Sequence, residues 1–188
     1  MKKITKTIAL MLMLSCCLNV TAQTEDEMKK MMEAGSPSEI HKMIARSDGE
    51  WKEEVTFWMA PGAPESKMQA TCTNKMILGG RYQESKHTGN MMGMPFEGIG
   101  TLAYDNARKV FVNTWIDNMS TGMMYLEGTW DAKTNTMNLQ GKMTDPMSGK
   151  EMKVREEFKI IDDKTQELTQ YMEHDGKEFK AMYIKLTR

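Results

Sequence analysis

Runs of like charge are missing from this 188-residue chain, whose formal net charge is −1. Without them there is no concentrated basic face to neutralise phosphates, which argues against nucleic acid as a partner. A phosphate loop, a complete catalytic triad and a metal-ligand cluster at recognisable spacing are missing too, so no motif assigns an activity. Histidine occurs three times, as His41, His87 and His174, and cysteine three times, as Cys16, Cys17 and Cys72. Proline is confined to positions that a sheet tolerates: Pro61, Pro64 and Pro146 in turns, Pro37 in a leader, and Pro95 at the opening of a strand. Helical patterns long enough to join parallel strands are absent from the body of the chain, which leaves an antiparallel sheet.

Residues 1–22 read as a signal peptide. Lys2, Lys3 and Lys6 form a basic start, Ile8 to Leu14 an apolar core too short to span a bilayer, and Val20-Thr21-Ala22 offers small residues for cleavage. Cleavage after Ala22 removes three lysines, taking the net charge to −4 and leaving no integral membrane segment. The expected location is periplasmic or secreted. The alternative is a lipoprotein anchored at Cys16, with Met13-Leu14-Ser15 as an imperfect lipobox. Loss of Cys16 and Cys17 leaves Cys72 alone, so no intrachain disulfide can form. A lone thiol in an oxidising compartment is expected in the core, on the strand face of Met68, Ala70 and Met76, and no histidine stands near it in sequence to activate it.

Residues 23–37 form a polar leader that is helix-compatible up to Gly35-Ser36-Pro37. Ser38 can then cap a short helix through Ile40, Met43 and Ile44, ending at Ser47-Asp48-Gly49. From there strand patterns recur: Glu50–Met59, Lys67–Leu78, Arg81–Thr88, three strands within Pro95–Asp131, then Thr136–Met143, Glu151–Ile161, Gln166–Glu173 and Glu178–Thr187. Turn signals such as Ala60-Pro61-Gly62, Gly79-Gly80, Asp105-Asn106, Asp145-Pro146 and Asp175-Gly176 separate them. About ten short strands over residues 38–188 predict an all-β, antiparallel up-and-down barrel, because closure removes aggregation-prone edges. Met152, Val154, Glu156, Phe158 and Ile160 alternate cleanly with charged residues and face inward. Glu156 among them is expected at the barrel mouth; the alternative is a buried carboxylate with a partner.

Gly49-Glu50-Trp51 at the first strand and Arg188 after the last resemble the lipocalin-like signature in which a tryptophan packs under a final-strand arginine. Ile77-Leu78-Gly79-Gly80-Arg81-Tyr82, Phe96-Glu97-Gly98, Tyr104-Asp105-Asn106 and Thr114-Trp115-Ile116-Asp117, in that order, resemble the bacterial domain of unknown function 1579 family over roughly Ser38 to Arg188. That resemblance implies a lipocalin-like barrel and no activity.

Phe111, Asn113, Trp115 and Asp117 share one face of a strand that is apolar at one end and charged at the other. Arg81, Glu97, Trp115 and Asp117 are therefore the candidate ligand-binding residues, with Trp115 facing the interior and the other three near its polar end. The competing reading makes them braces in a packed core. Some ten-stranded lipocalin-like barrels bind haem through a histidine, and here only His87, at a strand end, is placed to serve; the alternative is a solvated surface residue. Methionine is abundant, at 22 residues, and clusters at Met91-Met92-Gly93-Met94, Met119 and Met123-Met124 around two loops at one barrel end. Thioethers select Cu(I), but without an accompanying His or Cys this cluster reads as core or lining, and tight Cu(I) binding is not expected of it. No catalytic residue, metal ligand or cofactor is assigned.

The function expected from these features is an exported barrel holding one small, partly apolar or amphipathic molecule. A structural or interaction role at the cell envelope with a packed interior is the alternative, and copper handling the third. Intact-mass analysis of the exported protein is expected to give a chain beginning at Gln23; a diacylated Cys16 would reverse that assignment.

Overall fold

The structure, a computed structural model, describes residues 25–188, so the signal-peptide assignment lies outside the described residues. The chain divides into two compact units, Met1–Gly35 and Ser36–Arg188. The described part of the first is helix α1 (Glu25–Ala34), which opens with Glu25, Asp26 and Glu27 at its positive end and buries no residue. Among the described residues no helix is long and apolar enough to cross a membrane.

The second unit is a short helix and ten strands. Helix α2 (Glu39–Ala45) precedes β1 (Gly49–Phe57), β2 (Ser66–Ile77), β3 (Tyr82–Met91), β4 (Met94–Asp105) and β5 (Val110–Asp117). β6 (Met124–Asp131), β7 (Thr136–Thr144), β8 (Glu151–Asp162), β9 (Thr165–His174) and β10 (Lys177–Thr187) follow. Each strand pairs antiparallel with its sequence neighbour, and β1 pairs with β10 from Lys52↔Thr187 to Phe57↔Met182, closing the barrel. No edge remains to pair with another chain.

Helix α2 covers one end. Its start is held by a backbone-to-histidine bond, Ser38 N–H donating to His41 Nδ1 at 3.0 Å, which keeps that nitrogen unprotonated. Burial and the nearby Arg81 charge both push the His41 imidazole below its ordinary value, in keeping with that role. Ile44, 3% exposed, inserts into the core beside Phe111, Leu126 and Leu139. Carbonyls at and after the helix C-terminus, which have no partner within the helix, are met by barrel side chains: Gln83 Nε2 donates to Ile44 O at 3.0 Å, and Asn74 Nδ2 and Trp51 Nε1 donate to Ser47 O at 3.1 and 2.8 Å.

Arg188 completes this end. Its guanidinium lies 4.4 Å from the centre of the Trp51 ring and donates to Asp48 O (2.8 Å), Arg46 O (2.9 Å) and Asp163 O (2.8 Å). The tryptophan–arginine pair suggested by Gly49-Glu50-Trp51 is thus formed, and the chain-terminal arginine is anchored. Gly49 has φ +119°, a conformation L side chains rarely adopt, and an added Cβ would lie 3.6 Å from the Arg188 guanidinium.

Arg188→Ala removes three charge-assisted bonds and a cation–π contact at a partly solvated site. It is expected to lower stability by about 1–2 kcal/mol in denaturant titration. Arg188→Lys should recover only a small part, because an ammonium cannot present the planar fork to three carbonyls. Full recovery by lysine would show that charge alone suffices.

Candidate functional site

The interior is not filled. A cavity of about 330 Å³ runs from Met43 and Ile44 of α2 up to Ser120, Gly122 and Met123 in the β5–β6 loop. Nine methionines line it, which makes the wall apolar, polarizable and adaptable in shape. Two polar stations interrupt this wall.

The first station follows from strand register. Trp51 pairs with Cys72, Cys72 with His87, His87 with Gly98, and Gly98 with Asp117, a single inward row across β1 to β5. Glu53, two residues beyond Trp51 on the same face, reaches the same region. His87 Nδ1 lies 3.1 Å from both Glu53 carboxylate oxygens, and His87 Nε2 lies 3.5 Å from Cys72 Sγ. Glu53 and Cys72 are 2% and 1% exposed. One ligating atom from each of the three lies within 4.8 Å of the others. The Trp115 ring stands edge-on to His87 at 4.9 Å, and it fits because β4 presents glycine there: a Cβ on Gly98 would come within 2.4 Å of the indole.

Cys72, His87 and Glu53 stand in the order of nucleophile, base and orienting acid. The thiol, however, is pushed well above its ordinary value by burial and by the Glu53 charge, and it donates to Asn74 Oδ1 at 3.1 Å. A protonated thiol is a poor nucleophile, so the arrangement as it stands disfavours thiolate attack.

The second station spans the lumen. Glu156 of β8, 3% exposed, accepts from Gln170 Nε2 of β9 at 2.8 Å and from Asn113 Nδ2 of β5 at 3.4 Å. Gln170 also contacts Met124 Sδ at 3.8 Å. Burial raises the Glu156 carboxyl, more than the two amide donors lower it.

The sequence candidates separate on this geometry. Trp115 and Asp117 line the cavity; Trp115 Nε1 donates to Asp117 Oδ2 at 2.8 Å, and Asp117 Oδ1 accepts from the backbones of Met119 and Ser120 at 3.0 and 3.1 Å. Asp117 is therefore committed to the indole and to its turn. Glu97 is exposed on the outer face of β4, because Gly98 and Gly100 take the inward positions. Arg81 belongs to the β2–β3 turn at the α2 end, donating to Leu78 O at 3.1 Å, whereas Asp117 lies at the other end. The polar end expected around Trp115 thus retains only Asp117 of the three.

Three further expectations change. Glu156 sits mid-strand with amide partners instead of at the mouth. His87 is turned inward, 14% exposed at its side chain, and is not a solvated surface residue. Cys72 is buried as expected, yet a histidine does stand beside it, across a strand pair that sequence distance conceals. The same pairing brings together three potential ligand atoms, from Glu53, Cys72 and His87, that spacing along the chain does not show. His41 is a buried helix cap, and His174 lies at an exposed turn.

Residues 36–188 match the family described as "Protein of unknown function (DUF1579)". Among solved structures, the chain is similar to that titled "Crystal Structure of Rv2717c from M. tuberculosis", with a TM-score of 0.63 at 12% identity, covering 81% of this chain and 99% of that one. At that identity the likeness speaks for the barrel fold alone. A search of curated proteins returned no match.

Glu156 yields a pH-dependent prediction. A carboxyl raised in the folded state keeps its proton where the unfolded chain has lost it, so its contribution to stability is full below the ordinary value of 4.5 and is lost as pH rises through the raised value. Glu156→Gln cannot ionise; its carbonyl oxygen keeps the contact from Gln170, and its amide nitrogen, like the hydroxyl of a protonated Glu156, donates to Asn113 once that amide turns its Oδ1 inward. Its melting temperature is expected to match wild type near pH 4 and to exceed it by a few degrees at pH 7. A variant less stable than wild type at pH 7 would show that the ionised carboxylate is the form the fold prefers.

Proposed function

The chain belongs to the DUF1579 family of proteins of unknown function, and on that footing we propose that it is an exported carrier that holds one small, predominantly apolar molecule inside the barrel. The observation that carries this reading is the cavity: about 330 Å³, walled by methionine, aliphatic and aromatic side chains, with polar groups at two fixed stations. The volume lies at the lower end of the roughly 300–1,000 Å³ typical of ligand pockets, which favours a compact molecule. An apolar body with one or two polar atoms matches such a wall, because the methionines adapt to shape while Glu53/His87 and Glu156/Gln170 offer direction. An open interior weighs against a barrel that serves only as a packed structural block. The basic, apolar and small-residue segments of residues 1–22 support export.

The test is native mass spectrometry of chain purified without denaturation, combined with tryptophan fluorescence during titration with medium-chain fatty acids. Trp115 and Trp130 both line the cavity and report on filling. Met91→Trp places a bulky ring in the cavity wall and is expected to abolish retention. Met147→Trp, at a side chain 93% exposed, is expected to leave it intact. Retention of nothing by wild type in either assay, or equal retention by Met91→Trp, would defeat the proposal.

A further inference from the structure

We propose that Glu53, Cys72 and His87 form a binding site for one borderline-soft divalent cation of the zinc type, set in the barrel wall with a coordination position open to the cavity. The donors are sulfur, imidazole nitrogen and carboxylate oxygen, the set that suits such a cation and not the hard, oxygen-seeking ones. Cys72 Sγ and His87 Nε2 are 3.5 Å apart. Two ligands at zinc distances of about 2.3 and 2.0–2.1 Å in a tetrahedral arrangement stand about 3.5 Å from each other, so this pair is already at ligating separation. Glu53 on Nδ1 places the imidazole proton there and turns the Nε2 lone pair toward the sulfur, the orientation by which a carboxylate prepares a metal-binding histidine.

Charge supports the same occupant. When the cation binds, Cys72 gives its thiol proton to solvent and becomes a thiolate; with the Glu53 carboxylate this supplies two negative charges. A dication is then neutralised within a buried site, whereas a monovalent ion would leave a net charge in low-dielectric surroundings. In the observed geometry Glu53 supplies its charge from beside the imidazole, with one carboxylate oxygen within 4.8 Å of the candidate ligand atoms of Cys72 and His87. All three residues line the cavity, so a small donor molecule can fill the open position. The proposal does not depend on the carrier reading, since a barrel that retains no organic molecule can still take the cation.

The experiment titrates the full barrel unit in its native chain with Co²⁺ as a spectroscopic substitute, then displaces it with Zn²⁺ under a competing chelator. One equivalent is expected to bind, with an intense near-ultraviolet thiolate-to-cobalt band that Zn²⁺ abolishes. Cys72→Ser should lose the band and weaken Zn²⁺ binding at least 100-fold, and His87→Gln should weaken it similarly. Glu53→Gln should weaken it at least 10-fold, while His174→Gln should not change it. Circular dichroism confirms that each variant is folded; the wild-type band itself reports sulfur ligation even if a variant is not. Co²⁺ binding without the thiolate band, affinity unchanged in folded Cys72→Ser, or binding of Cu(I) but of neither Co²⁺ nor Zn²⁺ would overturn the assignment.

Discussion

The clasp of Arg188 on Trp51 is the contact on which the interior depends. A barrel closes only if its first and last strands meet in one register, and here the residue after β10 stacks on a side chain near the start of β1 while bonding three carbonyls below it. This does more than tie the ends. Trp51 is 1% exposed and faces inward, so strand alternation obliges Glu53 and Val55 to face inward too. A slip of one residue would turn Glu53 to solvent and Lys52 into the cavity. Register then passes from strand to strand, and the row Trp51, Cys72, His87, Gly98, Asp117 follows from the first pair.

The two barrel ends are built on different physics. At the α2 end, backbone carbonyls are met by Gln83, Asn74, Trp51 and Arg188, and Ile44 seals the floor. The carbonyls of this end thus have dedicated side-chain donors, which favours rigidity, while Gln166 Oε1 at the start of β9 is buried without a partner among the described residues. At the other end the cavity reaches the β5–β6 loop, and Met92, Met94, Met119 and Met123 are exposed around it. Methionine side chains repack at small cost, so the wall at this end can change shape.

The fold was legible in the sequence because strand alternation and turn chemistry are local. Asp105-Asn106, Asp145-Pro146 and Asp175-Gly176 punctuate the chain where the turns occur, and all ten strands fall near the positions their patterns predict. Trp115 and Asp117 were legible as an inward pair for the same reason, being two residues apart on one strand. Glu97 was misread because the inward parity of β4 is carried by Gly98 and Gly100, which give no hydrophobic signal. Cys72, His87 and Glu53 form no motif along the chain: they lie on three strands, and only the register of β1–β2 and β2–β3 brings them together. Cysteine and histidine at matching distances from the Gly79-Gly80 turn were the one available clue. Counting back from that turn along both strands would have set them opposite each other.

Stability alone does not account for the polar stations. Replacing a buried ionisable pair by packed apolar side chains is often neutral or stabilising, and the barrel offers many inward positions where methionine and leucine already do this. Glu156 stands instead at a site where burial works against its charged form, and Glu53 is 2% exposed. They are not scattered: Glu53 and His87 lie beside the buried thiol of β2, and Glu156 lies between two amides from β5 and β9. Each station is nearly self-satisfied yet borders the same empty volume. A packed core would gain by removing both the polar groups and the space. A binding chamber needs both, the space for the body of a guest and the fixed polar atoms to orient it, and that is the support the proposed carrier role draws from the stations and the cavity together.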